Sequence, residues 1–171
     1  LLIRNHENVT GVPPRFGPFG WQNERLDKVP ADRIYDPGTA TGTPVPGGTT
    51  SILFDLRNRK PIRQWLSLAG TGNNCAGGPT PWGTWLSCEE WTQRADATHA
   101  RDHGYVFEVP ASTEMGLCDP VPLHAMGRFQ HEAVAIDPAS GIAYLTEDRE
   151  DGCLYRFTPK VPGKLDEGGS L

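Results

Sequence analysis

The stretch HEAVAIDPASGIAYLTED, residues 131–148, decides the fold. Apolar residues recur at every second position in its two halves, and Asp137-Pro138-Ala139-Ser140-Gly141 stands between them. A period of two broken by a short Pro- and Gly-bearing turn specifies a β-hairpin. Pairing about that turn brings His131-Glu132 and Glu147-Asp148 to the same open end.

Outward from this hairpin, further short segments read as strands bounded by turn residues: 1–6, 51–56, 64–68, 83–87, 104–109 and 154–157. No segment has the period of a long amphipathic helix. Twenty Gly and 16 Pro among 171 residues fit that reading, because helix interiors tolerate neither. The expected class is all-β.

A loose repeat runs through these segments. A strand ends in acid (LIRNHE, TWLSCEE, AYLTED), and a second strand follows some residues later (SILFDLRN, GYVFEVP, GCLYRFTP). Repeated antiparallel units of this kind predict a β-propeller, here about three blades. Three blades cannot close a ring, so 1–171 is expected to be one partial propeller domain, a fragment of a longer chain. The first residue, Leu1, and the tail LDEGGSL, read as the start of another unit, favour the same expectation. Residues 12–48 are too rich in Pro and Gly for regular structure and read as an insertion.

The net charge of −5, without a basic run, argues against nucleic-acid binding and suits cations better. No stretch reaches the roughly 20 apolar residues of a membrane helix. Cys75, Cys88, Cys118 and Cys153 lack CxxC spacing, so a zinc ribbon has no support and no pairing follows.

Three constellations carry the chemistry. The first is Asn5-His6-Glu7. The second is 73–90, NNCAGGPTPWGTWLSCEE, where a Gly/Pro turn feeds a Trp-bearing strand that delivers Cys88, Glu89 and Glu90. The third joins 128–132, RFQHE, to 144–149, YLTEDR, across the hairpin. Adjacent carboxylates repel, and their burial is costly unless cations compensate. Carboxylates suit calcium and a thiolate suits a transition metal, so a Cys beside two Glu fits a mixed site. Arg128 and Arg149 offer guanidinium groups for an anionic substrate. Each constellation also admits a plainer reading as a solvated acidic corner, with Cys88 a buried apolar residue or disulfide-bonded to Cys75. His6 and His131 read as supports for the acids that follow them, and His99, His103 and His124 have no assigned role.

The segments NHE at 5–7, NNCAGGPTPWGTWLSCEE at 73–90, GRFQHEAVAIDPASGIAYLTEDR at 127–149 and GCLYRFTP at 152–159 resemble the PhoX-type alkaline phosphatases. The resemblance implies a periplasmic or secreted six-bladed propeller, monomeric when full length, that hydrolyses phosphomonoesters with iron (Fe3+) and calcium (Ca2+). Carried over by motif, it implies Glu7, Cys88, Glu89, Glu132, Glu147 and Asp148 as metal ligands, with Glu90 a weaker one. Glu132, Glu147 and Cys88 are then the catalytic set, and Arg149 a substrate-binding residue. A non-catalytic calcium-stabilised propeller and a propeller lactonase are the alternatives.

Overall fold

A computed structural model of the chain describes residues 1–11, 17–40 and 42–171. These described residues are all-β, with ten strands among them in three separate antiparallel sheets. The first holds β1 (Leu2–His6), β2 (Gly48–Asp55) and β3 (Lys60–Ala69), in that order. The second holds β4 (Asn74–Pro79), β5 (Thr84–Glu89) and β6 (Val106–Pro110). The third runs β7 (His131–Ile136), β8 (Ala143–Glu147), β9 (Leu154–Val161) and β10 (Lys164–Ser170). The described residues close no barrel or ring.

The hairpin of 131–148 forms as its alternation predicts. His131 lies opposite Glu147 and Ile136 opposite Ala143. Gly141, at φ +73°, completes the turn, its N–H donating to Asp137 O at 2.8 Å.

Two strands were hidden in the sequence. β4 lies in the Gly/Pro stretch NCAGGP, which reads as a turn, and packs between β5 and β7. A Cβ at Gly78 would stand 1.9 Å from the carbonyl oxygen of Val134, and one at Gly77 would meet that of Leu86 at 1.8 Å. The glycines thus allow backbones to approach closely rather than breaking the strand. The tail LDEGGSL, expected to begin a new unit, instead folds back on β9 as β10 and buries Leu165.

The acid-ended strands are not equivalent. LIRNH forms β1, the first strand of its sheet, whereas TWLSCE and AYLTE are β5 and β8, the second strands of theirs. β1 touches β4, and β4 packs along β7.

Leu86, Cys88, Met126, Val134, Leu145 and Phe157 belong to a core shared by the second and third sheets. Tyr35, Leu68, Phe107 and Val109 fill the space between the first and second. Tyr35 comes from the insertion, whose described part packs down through Phe19, Ile34 and Val45. Two short 3-10 turns, Leu26–Lys28 and Ala31–Arg33, are its regular elements. Residues 12–16 and 41 of that insertion lie outside the described residues.

Candidate metal centre

The ends of β1, β4, β5, β7 and β8 meet, and hydrogen bonds fix how. Asn5 on β1 donates its amide to the carbonyls of Cys75 (2.9 Å) and Ala76 (2.6 Å). Its Oδ1 accepts from Trp85 Nε1 (3.1 Å) and Ser87 Oγ (3.0 Å). One short side chain thus joins the first sheet to β4 and β5 of the second. Asn74, fully buried, accepts from Gly48 N (2.8 Å) and Thr71 Oγ1 (2.6 Å) and donates to Ser87 Oγ (2.9 Å). Asn73 adopts φ +47°, a conformation Asn tolerates, and its carbonyl accepts from Glu90 N at 3.0 Å. Cys75 and Glu90 are thereby set side by side.

Two trios of ligand atoms result, Glu7 with Cys75 and Glu90, and Glu90 with Glu132 and Asp148. Within each, the atoms lie within 4.8 Å of one another, and Glu90 belongs to both. Cys75 Sγ donates to Glu132 Oε1 at 3.3 Å, which ties the trios together. Among the described residues, no salt bridge engages Glu7, Glu90, Glu132 or Asp148.

The electrostatics record this missing countercharge. Burial, then a hydrogen bond that the protonated carboxyl donates to Asp148 and the charges of Glu132 and Asp148, pushes the Glu90 carboxyl up to about 7. Burial and then Glu132 push the Cys75 thiol well above its ordinary range. Four carboxylates and a thiol gathered without a cation are costly for the chain alone and fit a multivalent metal. The oxygens suit a hard cation such as calcium, and the sulfur a transition metal.

Of the residues expected from sequence, Glu7, Glu132 and Asp148 come together here, and Glu90 stands at the centre. Cys88 is not brought to the cluster: its side chain is wholly buried in the apolar core, where burial raises its pKa. Glu89 is equally buried and turned away, its carboxylate filled by Gly72 N, Gly104 N, Tyr105 N and His103. Glu147 accepts from Tyr155 Oη (3.0 Å) and Cys153 N (3.3 Å), bracing the loop that presents Asp148. Arg149 is exposed and paired with Asp151 at 3.1 Å, and Arg128 donates to the carbonyls of Thr92 and Gln93. His6 Nε2 meets Thr50 Oγ1 at 2.6 Å. His131 stacks on Phe129, and burial lowers its pKa to about 4.

Cys75 is the residue the sequence reading missed. All four cysteines are free, so no bond links Cys75 to Cys88. Its signal was its place 15 residues before Glu90 across a hairpin, legible only once 74–79 is read as a strand.

A family model described as alkaline phosphatase PhoX matches residues 47–170. The chain belongs to the PhoX family. The match runs from β2 to β10 and includes Cys75, Glu90, Glu132 and Asp148, while Glu7 lies before it. No curated protein and no solved structure matches the chain. PhoX membership supports a phosphatase with a small-molecule phosphoester substrate and metal dependence, which the acidic and thiol donors fit. Among the described residues, no helix is long and apolar enough to cross a membrane.

Proposed function

We propose that this chain carries the metal centre of a phosphomonoesterase, with Glu7, Cys75, Glu90, Glu132 and Asp148 holding iron and calcium. The observation that supports it is the meeting, from three sheets, of four carboxylates and one thiol with which no cationic side chain among the described residues forms a salt bridge. Cys75 takes the thiolate role for which its sequence neighbour Cys88 is too deeply buried.

In this reading the three sheets are blades of a six-bladed propeller, and the centre lies where β1, β4 and β7 approach one another. Bound cations would supply the positive charge that neutralises the phosphoryl oxygens during in-line attack. The chain does the rest. Glu90, shared by both trios, must lose its proton to bind, so cation affinity rises with pH up to about 7. Glu147, held by Tyr155 and Cys153, steadies Asp148. Arg149, on an exposed loop, exchanges Asp151 for a substrate phosphate oxygen. The setting is periplasmic or secreted.

Elemental analysis of the purified full-length protein, paired with p-nitrophenyl phosphate hydrolysis before and after chelation, tests this reading; the isolated 171 residues are expected not to turn over. Iron and calcium should co-purify, and chelation should abolish turnover while the β-sheet circular dichroism persists. Zinc alone would overturn the metal assignment. Turnover that survives complete metal removal would overturn the mechanism.

A further inference from the structure

Glu89, His103 and Asp36 form a second ionic group, distinct from the metal cluster and entirely without solvent exposure at their side chains. His103 lies between two carboxylates, Nδ1 at 2.7 Å from Glu89 Oε1 and Nε2 at 3.1 Å from Asp36 Oδ2. With an acceptor at each ring nitrogen, the imidazole is doubly protonated. Tyr35 packs edge-on against it at 5.4 Å and Trp91 lies tilted at 4.9 Å.

Each carboxylate also collects backbone N–H groups. Glu89 accepts from Gly72 (2.7 Å), Gly104 (2.8 Å) and Tyr105 (3.1 Å). Asp36 accepts from Gly38 (2.8 Å), Ala100 (3.0 Å) and Arg101 (3.3 Å). The Pro/Gly-rich insertion is therefore bound through one imidazolium to the strand that ends at Glu89, next to Glu90.

We propose that Glu89 and His103, backed by Asp36, are positioning residues for the metal centre: they fix the 71–74 turn so that Cys75 and Glu90 face Glu132. The inference rests on the reading of the cluster as a metal site. Gly72 begins the path to Cys75, and a Cβ there would stand 2.2 Å from Trp91 Cε3, so the turn is held on both sides. Asn73, the next residue, donates its N–H to Asn8 O (2.8 Å) and accepts from Glu90 N (3.0 Å). One buried carboxylate thus fixes both the turn that leads to Cys75 and the backbone that continues to Glu90. Only an ionised carboxylate accepts all four of these donors. An amide in its place turns an NH2 toward backbone N–H groups.

Glu89→Gln, His103→Gln and Asp36→Asn test this with two measurements. In the metal-free protein, maleimide labelling of Cys75, followed by peptide mass mapping, should accelerate about fivefold or more in Glu89→Gln as the turn opens. Cys88 should stay unlabelled, which reports an intact core. With calcium alone, titration calorimetry should show affinity falling about 10- to 100-fold in Glu89→Gln and His103→Gln, the range for loss of a group that orients a ligand. Asp36→Asn should fall about two- to threefold.

Wild-type labelling and wild-type calcium affinity in a folded Glu89→Gln protein would overturn the proposal. Should Glu89→Gln fail to fold, Asp36→Asn decides, and no change in either measurement overturns it. A wild-type protein that binds no metal overturns the reading of the cluster instead, and Cys75 labelling then decides the positioning role by itself.

Discussion

Glu89 and Glu90 are successive residues with the same side chain, and β5 delivers them to opposite surroundings. Glu89, inside the strand, turns into a pocket where three backbone N–H groups and an imidazolium complete its hydrogen bonds. Glu90, one residue past the strand end, turns out among Glu7, Cys75, Glu132 and Asp148. The first group satisfies its charge from within the chain. The second forms no salt bridge among the described residues, and its central carboxyl is pushed up to about 7. Proximity of acids alone does not separate the two groups; what separates them is that the described residues supply countercharge to Glu89 and none to Glu90.

Removing ligands from the uncompensated side should have the largest effect. Glu90→Gln combined with Glu132→Gln is expected to lower calcium affinity about 1,000-fold, or roughly 4 kcal/mol, measured by titration calorimetry. The metal-free double variant should melt higher than wild type, because two repelling charges are gone. A greater affinity loss from Glu89→Gln alone would break the comparison, since it would place the binding energy on the satisfied side.

Next in size is the pH response of the satisfied side. Burial opposes the charge on His103, but the hydrogen bonds it donates to Asp36 and Glu89 outweigh it and raise its pKa to about 9 from 6.5. A raised folded-state pKa stabilises fully below 6.5, and that stability is lost as pH climbs through 9. Urea unfolding of the metal-free protein at pH 6 and pH 9.5 should differ by on the order of 3 kcal/mol, with the lower stability at pH 9.5. His103→Gln should flatten that window. Glu90, also raised, acts in an earlier one: metal-free stability falls as pH rises from 4.5 through about 7, and Glu90→Gln removes that decline.

Local patterns were legible in the sequence where they sufficed to fix structure. The 131–148 hairpin carries its own period and turn, and its register brings Glu132 and Asp148 to one end as the alternation requires. β4 escaped because its glycines serve contacts with Val134 and Leu86 that come from other parts of the chain. The place of Cys75 beside Glu7 and Glu90 escaped with it. Asp36 and His103 are 67 residues apart, and nothing local to either announces the other. Even Glu89 and Glu90 could not be told apart by composition: which one faces the cluster depends on where β5 ends.

The smallest expected effect separates the two cysteines that bracket the hairpin, and it reads stability and metal content at once. Cys88 is wholly buried among Leu86, Val106, Met126 and Leu145. Cys88→Ser places a hydroxyl in that apolar core and should cost about 1–3 kcal/mol in urea unfolding, with metal content unchanged. Cys75 is half-buried beside Glu132, where Ser keeps a polar group of similar size. Cys75→Ser should shift stability by no more than about 0.5 kcal/mol and lower bound iron relative to calcium, because oxygen replaces the softer sulfur. Elemental analysis of both variants decides between them. Iron lost from Cys88→Ser and retained by Cys75→Ser would return the thiolate role to the core and require β5 to open before metal binds.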